Sequence, residues 1–213
     1  MGVGIEALLE YSRSRLGQVE IEIGCGPNKL QGRIGVDHLA LPGVDVVANL
    51  EEGLGVFPDR CADVFHARSV LEHVIDVGGL MGEIHRVLKP DGKFRVFVPH
   101  FSNPYFYSDY THRTFFGLYT FYYFVEPEEQ LRRKVPVFYG STRYKVESLR
   151  LTFEGRGRLG KPFKKLVERL VNSSPRFQEF YEANLCYLIP CYGVDAVLRP
   201  ALAKVTQGVS ESE

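Results

Sequence analysis

Val19-Glu20-Ile21-Glu22-Ile23-Gly24-Cys25-Gly26-Pro27, followed after a short connection by Arg33-Ile34-Gly35-Val36-Asp37, is the stretch on which the reading of this chain turns. Val19, Ile21 and Ile23 alternate with polar residues, the period of a strand with a buried face. The strand runs into Gly24-Cys25-Gly26, where missing side chains let a ligand approach the backbone. A second β-like run, Arg33 to Val36, ends on the carboxylate of Asp37. In an open α/β sheet, ligands bind at the carboxyl ends of the strands. A glycine turn beside an acidic strand tip suits a nucleoside, with the carboxylate accepting hydrogen bonds from ribose hydroxyls.

A dinucleotide site would continue as Gly-x-Gly-x-x-Gly, with an acidic residue about 20 residues further on. Here Lys29 occupies the third glycine position and Asp37 comes too early, so a pyrophosphate cradle is poorly supported.

Working outward, Ile5 to Leu16 reads as a helix with Ile5, Leu8, Leu9 and Leu16 on one face. Only Cys25 to Gly32 joins the first two strands, so the first crossover holds one or two helical turns. Val44 to Ala48 and Ala62 to Ala67 read as the third and fourth strands. Ser69 with Glu72 forms a candidate capping box. Val77 to Leu88 is a helix with Leu80, Ile84, Val87 and Leu88 as its stripe, stopped by the turn Lys89-Pro90-Asp91-Gly92. Lys93 to Pro99 is a fifth strand. Such alternation predicts right-handed βαβ units and a parallel sheet. Further on, Tyr144 to Phe153 reads as a sixth strand, and a helix starts at Gly160-Lys161-Pro162 with Phe163, Leu166, Val167, Leu170 and Val171 on one face. Asn184 to Pro190 reads as the last strand and Val194 to Leu202 as a short helix.

The Glu22-x-Gly24-x-Gly26 turn followed by Asp37 resembles the first two motifs of class I methyltransferases, which use S-adenosylmethionine. Asp63-Val-Phe-His-Ala-Arg-Ser-Val-Leu-Glu-His73, Glu83-Ile-His-Arg-Val-Leu-Lys-Pro-Asp-Gly92 and Val98-Pro99 are similar to the type 11 family of that class. The likeness covers Val19 to Pro99 and, more loosely, to Phe116. It implies a Rossmann-like α/β fold with a mostly parallel seven-stranded sheet and an antiparallel last strand. It also implies S-adenosylmethionine as cofactor. Gly24 and Gly26 would admit its methionine part, with Glu22 in the same motif and Cys25 as a small filler. Asp37 would hold the ribose, His38 the adenine face, Asn49 and Leu50 the adenine edge. Ala67 and Arg68 would face the sulfonium. Asn28 in place of a further glycine and the shortened crossover depart from the pattern, and both touch cofactor geometry.

From Phe101 to Phe124, half of the 24 residues are Phe or Tyr, against 13% aromatic overall. The segment follows the fifth strand and so begins at the ligand edge. It reads as a substrate wall with a helix from Thr111, and His73, Tyr105, Tyr107, Asp109, Tyr110 and Arg113 are the candidate substrate contacts. Packing of a local aromatic core is the plainer account of some of these rings. Methyl transfer to a hydroxyl benefits from a general base, and His is suited near neutral pH. His112, oriented by Asp109, is the first candidate and His100 the second. The histidines show no His-x-x-x-His or His-Glu-x-x-His spacing, so no metal site is expected. There is no Gly-x-Ser-x-Gly elbow for a hydrolase either.

The 213 residues suit one domain over 1–213. Within it, 19–99 would be the cofactor-binding core, 100–213 the substrate lid and closing strands, and 207–213 a frayed tail. Net charge is zero, so no global field points to nucleic acid. Locally, Arg132 to Lys165 holds eleven Lys or Arg against two Glu. A solvated face is the plain reading; weak contact of 132–165 with a membrane surface, or an anionic, lipid- or sugar-linked substrate, is the sharper one. Four cysteines without a Cys-x-x-Cys pair and no apolar leader fit a reduced, cytoplasmic setting. The expected function is therefore transfer of a methyl group to a small or lipid- or sugar-linked acceptor, on oxygen. The alternative is a non-catalytic protein that uses the fold to bind the cofactor or a partner subunit.

Overall fold

The computed structural model describes residues 4–154 and 157–201; the expected tail 207–213 lies outside them. The chain runs α1 (Ile5–Leu16), β1 (Glu20–Ile23), β2 (Ile34–Asp37), β3 (Val46–Val47), β4 (Ala62–Arg68), α2 (Val77–Val87) and β5 (Leu88–Pro99). It continues through a long aromatic segment to β6 (Tyr144–Thr152), α3 (Gly157–Val171), α4 (Pro175–Asn184) and β7 (Gly193–Pro200). The strands form one seven-stranded sheet in the order β3-β2-β1-β4-β5-β7-β6. β7 runs antiparallel to both of its neighbours, and the pairings among β1 to β5 are parallel. The chain builds outward from β1 to β3, then returns to place β4 on the other side of β1. The crevice between the tips of β1 and β4 is thus the point where the direction of building reverses, the place where such sheets bind ligands.

The alternation in β1 has a specific cause. Ile21 and Ile23 are fully buried, while Glu20 and Glu22 both bind Arg33 at the start of β2, at 3.0 and 3.1 Å. Glu20 also bonds His66 of β4 at 2.8 Å. The polar face of β1 is therefore an ion-pair cluster spanning three strands rather than a solvated surface. Ile34, Val36, Phe65, Phe94, Val96 and Val98 complete the central core.

The crossover from β1 to β2 contains a single 3-10 turn, Gly26–Asn28, as expected from its length. α1 packs against β1 and β2 in place of a crossover helix. Leu8 and Leu9 are buried there, but Leu16 is half exposed; buried Ser12 takes part in the contact by accepting the N–H of Glu20 at 3.0 Å. Gly17, at φ 73°, ends the helix with its N–H on Arg13 O.

Four local expectations are corrected. The third strand contracts to Val46–Val47, because among the described residues it is an edge strand paired with β2 alone. Ser69 is not a helix cap: it sits at φ 55°, and Val70 precedes a 3-10 turn over Leu71–His73. Asp76 caps α2, accepting from Gly79 N at 2.8 Å. The turn residues Lys89 to Gly92 are absorbed into β5 as an irregularity, since Ala62 pairs with Leu88 and Val64 with Lys93. No helix starts at Thr111; Asp109 instead accepts both the N–H and the hydroxyl of Thr111 in a side-chain turn.

The C-terminal assignments also change. The last strand is Gly193–Pro200, where a short helix was expected, and Leu202 lies outside the described residues. The run Asn184 to Pro190 is not a strand but the exit from α4, with the N–H groups of Leu185 and Ile189 bonding back to Tyr181 O and Leu185 O. α4 itself carried a signal in Ser174-Pro175: the serine hydroxyl accepts Phe177 N and the proline takes the first turn. α3 forms, but it starts at Gly157, ahead of the expected Gly160, so Pro162 lies inside it; only part of its stripe docks, with Val171 buried while Phe163, Leu166 and Leu170 face solvent.

Candidate active site

Two cavities open at the carboxyl edge of the sheet. The first, about 550 Å³, is lined at its floor by Gly24, Asp37 and Val70 and at its sides by His38, Asn49, Leu50 and Arg113. The second, about 370 Å³, lies over the tip of β5 between Phe97, Pro99, Tyr105, His112 and Tyr192. Ser69 and His73 line both, so the cavities meet at the tip of β4.

Asp37 is 8% exposed and set by the backbone around it. Its Oδ2 accepts Gly26 N at 2.9 Å and its Oδ1 accepts Leu39 N at 3.1 Å. His38 Nδ1 is 3.2 Å from the same Oδ1. A carboxylate has about four lone-pair sites, so these contacts leave capacity for ligand hydroxyls. Gly24 sits at φ 61°, and a Cβ there would overlap the Cγ2 of Val70. Gly26, at φ 53°, has open space where its Cβ would project. The Gly-x-Gly turn therefore serves packing at its first glycine and clearance at its second.

The other residues expected at the cofactor fall into two groups. His38, Asn49 and Leu50 line the first cavity with Gly24 and Asp37. The Asn49 side chain is engaged locally, accepting Glu51 N and donating to Glu52. Glu22, Cys25, Gly26, Ala67 and Arg68 do not line it. Glu22 is turned to Arg33 and Leu30 N, Ala67 is buried within β4, and Arg68 lies over the Phe97 ring at 4.6 Å. Cys25 is buried, and its thiol is pushed up to about 11 by that burial and by Asp37, which keeps it an unreactive filler.

On the substrate side, His73 and Arg113 reach the first cavity, and Tyr105, Asp109 and His112 reach the second. Tyr107 and Tyr110 line neither cavity and are exposed, Tyr110 at 91%. His100 is fully buried. Its Nδ1 accepts Ser102 N at 3.0 Å and its Nε2 bonds Glu182 at 2.8 Å, so both ring nitrogens are occupied. His100 lines neither cavity.

The residue that sequence reasoning passed over is Glu72. It is 1% exposed, lines the second cavity, and its Oε2 has no hydrogen-bond partner among the described residues. Burial pushes its carboxyl up to about 7, and the charge of Asp109 adds to the effect. The Glu72 carbonyl accepts the N–H groups of Arg113 and Thr114, at 2.7 and 3.1 Å, and Val74 O accepts the Thr114 hydroxyl. These bonds lace the aromatic segment to the turn after β4 and bring His112 beside His73, ring centroids 4.8 Å apart. A sequence signal existed in Leu71-Glu72-His73, but a capping box explained the glutamate too easily.

Residues 24–96 match the family model described as a methyltransferase domain. Among solved structures, a SAM-dependent methyltransferase from Archaeoglobus fulgidus is 17% identical, with 91% of this chain and 93% of that one covered and a TM-score of 0.56. The fold is that of a class I methyltransferase. A putative methyltransferase from Bacillus halodurans C-125 shares it at 13% identity and TM-score 0.52, over 91% of this chain and 99% of its own. So does a structure of the Haloferax volcanii Trm112 methyltransferase activator with the putative methyltransferase, at 13% identity, TM-score 0.50 and coverage of 91% and 88%. No curated protein matches the chain significantly. In this methyltransferase fold the first cavity lies at the sheet reversal between β1 and β4, and the aromatic segment walls the second. No helix among the described residues is long and apolar enough to cross a membrane.

Proposed function

We propose that the chain transfers the methyl group of S-adenosylmethionine to a small or lipid- or sugar-linked acceptor, on oxygen. The observation that carries this reading is Asp37, a nearly buried carboxylate held by two backbone N–H groups at the floor of the first cavity, with accepting capacity to spare. That donor set fits an adenosyl ligand: ribose hydroxyls on Asp37, the adenine between His38 and Leu50, and no phosphate cradle, which this cofactor does not need.

The acceptor then occupies the second cavity, and Ser69 and His73 stand where the two ligands meet. Transfer is an in-line displacement. A bond forms between acceptor oxygen and methyl carbon, the carbon–sulfur bond breaks with its electron pair going to sulfur, and the acceptor's proton leaves to solvent. Much of the rate comes from holding the two ligands in line. The aromatic wall shapes the acceptor's cavity, and Glu72, His73 and His112 supply the polar groups facing the acceptor; His100 supports the wall from behind.

Calorimetric titration with S-adenosylmethionine, S-adenosylhomocysteine and NAD tests the cofactor. Binding of the adenosyl pair and not NAD is expected, followed by a screen of phosphorylated sugars and lipid acceptors for methylation. Failure to bind either adenosyl compound refutes the reading. A second reading, a partner-binding protein on the same fold, draws support from the solvent-facing Phe163, Leu166 and Leu170 of α3, flanked by Lys161, Lys165 and Arg169. The same face suits weak contact with a membrane surface through the basic stretch 132–165. Vesicle co-sedimentation with anionic and neutral lipids separates these two.

A further inference from the structure

We propose that Glu72, His73 and His112 hold one divalent first-row transition-metal ion, of the zinc type, at the junction of the two cavities. Their ligand atoms all lie within 4.8 Å of one another. Donors about 2.1 Å from a common ion sit at most about 4.2 Å apart, so small side-chain adjustments close the set. Two imidazoles and one carboxylate form a donor set suited to zinc or iron-class ions, and three protein ligands leave a position open for a substrate.

Three independent features support the site. The first is Glu72: a carboxylate 1% exposed whose Oε2 has no hydrogen-bond partner among the described residues, lining the cavity with both histidines. A buried polar atom without a partner costs free energy unless something supplies one. A cation would.

The second is the tautomer of His112. Its Nδ1 is 2.8 Å from the carbonyl of Phe106, which can only accept, so Nδ1 carries the proton. Nε2 then presents a lone pair, since the Asp109 carboxylate, 3.7 Å away, is beyond hydrogen-bond distance.

The third is the tautomer of His73. Asp109 only accepts, so the Thr111 hydroxyl, 2.6 Å away, donates to it. The Thr111 oxygen must then accept from His73 Nδ1 at 2.9 Å, which again leaves Nε2 with the lone pair. Metal-binding histidines characteristically donate their second nitrogen to a carbonyl or an oxygen relay of this kind. Sequence spacing hides the set, because His112 is brought to Glu72-His73 by the backbone bonds of Arg113 and Thr114 rather than by proximity in the chain.

The catalytic consequence rests on the methyltransferase reading. A hydroxyl acceptor bound at the open position gives up its proton more easily, which would relieve the site of a free general base. The binding itself does not depend on that reading, and the test keeps them apart. The 213-residue chain, stripped with chelator, is titrated with Zn²⁺ alone by calorimetry and with Co²⁺ by visible absorption, without cofactor or acceptor. The same preparation is titrated with S-adenosylmethionine.

One equivalent of Zn²⁺ is expected, with affinity falling on the order of a hundredfold or more in Glu72→Gln and in His112→Ala, and with the Co²⁺ ligand-field bands lost in both. Thr111→Val, which leaves the ligands but removes the relay, should weaken binding about tenfold to a hundredfold, and Thr111→Ser should restore it. His85→Gln, far from the cluster, should leave binding unchanged. Each variant is first shown to melt cooperatively. Absence of Zn²⁺ binding overturns the proposal, as does binding that Glu72→Gln and His112→Ala leave intact. Either result with S-adenosylmethionine still bound refutes the metal alone.

Discussion

Replacing Asp37 by Asn tests the cofactor site most directly, because the structure states what each oxygen does. Oδ2 accepts Gly26 N and Oδ1 accepts Leu39 N. An amide is isosteric but has one accepting atom, so whichever way it turns its NH2 group faces one of those backbone donors. The free protein loses one hydrogen bond and gains a donor–donor contact, a cost of about 1–3 kcal/mol. The bound state loses more. A hydrogen bond to a charged group contributes about 1.5–3 kcal/mol against about 1 for a neutral one. Of two ribose hydroxyls, one would find no acceptor and the other a weaker one. The sum is roughly 2–4 kcal/mol, or about 30- to 1,000-fold in Kd for S-adenosylmethionine. Calorimetry at 25 °C measures it, with a thermal melt to confirm folding. Glu22→Gln is the control: that carboxylate is also in the motif but is turned to Arg33 outside the cavity, so affinity should stay within about threefold. A folded Asp37→Asn that binds like wild type, or a Glu22→Gln that fails equally, would refute the assignment.

Three other outcomes are expected. Gly24→Ala should destabilise the fold through the overlap with Val70 and the positive φ; adding Val70→Ala should relieve the overlap but leave about 1–2 kcal/mol of backbone strain, read from a double-mutant denaturation cycle. His100→Ala should cost about 1.5–3 kcal/mol by stranding Glu182, lowering Tm by roughly 3–12 °C, while methyl transfer per folded molecule changes little; a large loss of turnover at unchanged Tm would return His100 to the chemistry. Glu147, on β6, bonds Arg199 of β7 and Lys93 of β5, at 2.7 and 3.0 Å, and these partners hold its carboxyl down at about 2 against an ordinary 4.5. A depressed carboxylate contributes stability that is present above pH 4.5 and is lost as pH falls through 2. Glu147→Gln should therefore flatten the acid limb of stability over that window at low salt, and high salt should flatten it in the wild type.

The parallel half of the sheet was legible because its residues are constrained twice, by period and by turn chemistry. Ile21 and Ile23 alternate, and Gly24 and Asp37 end strands where only a few residue types serve. The C-terminal half was not. Leu185 to Ile189 is apolar enough to pass for a buried strand, yet Tyr187 and Leu188 are exposed and the backbone bonds locally. β7 is interrupted by Asp195 and Arg199 and ends at Pro200, and its identity as a strand comes from tertiary pairing on both sides. At the site, single-residue motifs were readable and groupings were not. His112 and Asp109 were legible as polar residues in an aromatic run. Their company with Glu72 and His73 depends on backbone bonds to the Glu72 carbonyl, which have no side-chain signature.

The order in which the sheet closes has a consequence for synthesis. Among the described residues β6 pairs with β7 alone, and β7 is also what joins β6 to β5. On the ribosome, β6 emerges before α3, α4 and the strand it must pair with. Until Gly193–Pro200 arrives, the nascent chain can assemble five parallel strands, leaving β5 as an unpaired edge and β6 adrift with Leu149 and Leu151 uncovered. Such an interval, an open strand edge beside a loose apolar strand, is when chains pair with each other instead of with themselves. Truncation within β7 should prolong it indefinitely, yielding aggregates rather than a smaller folded core.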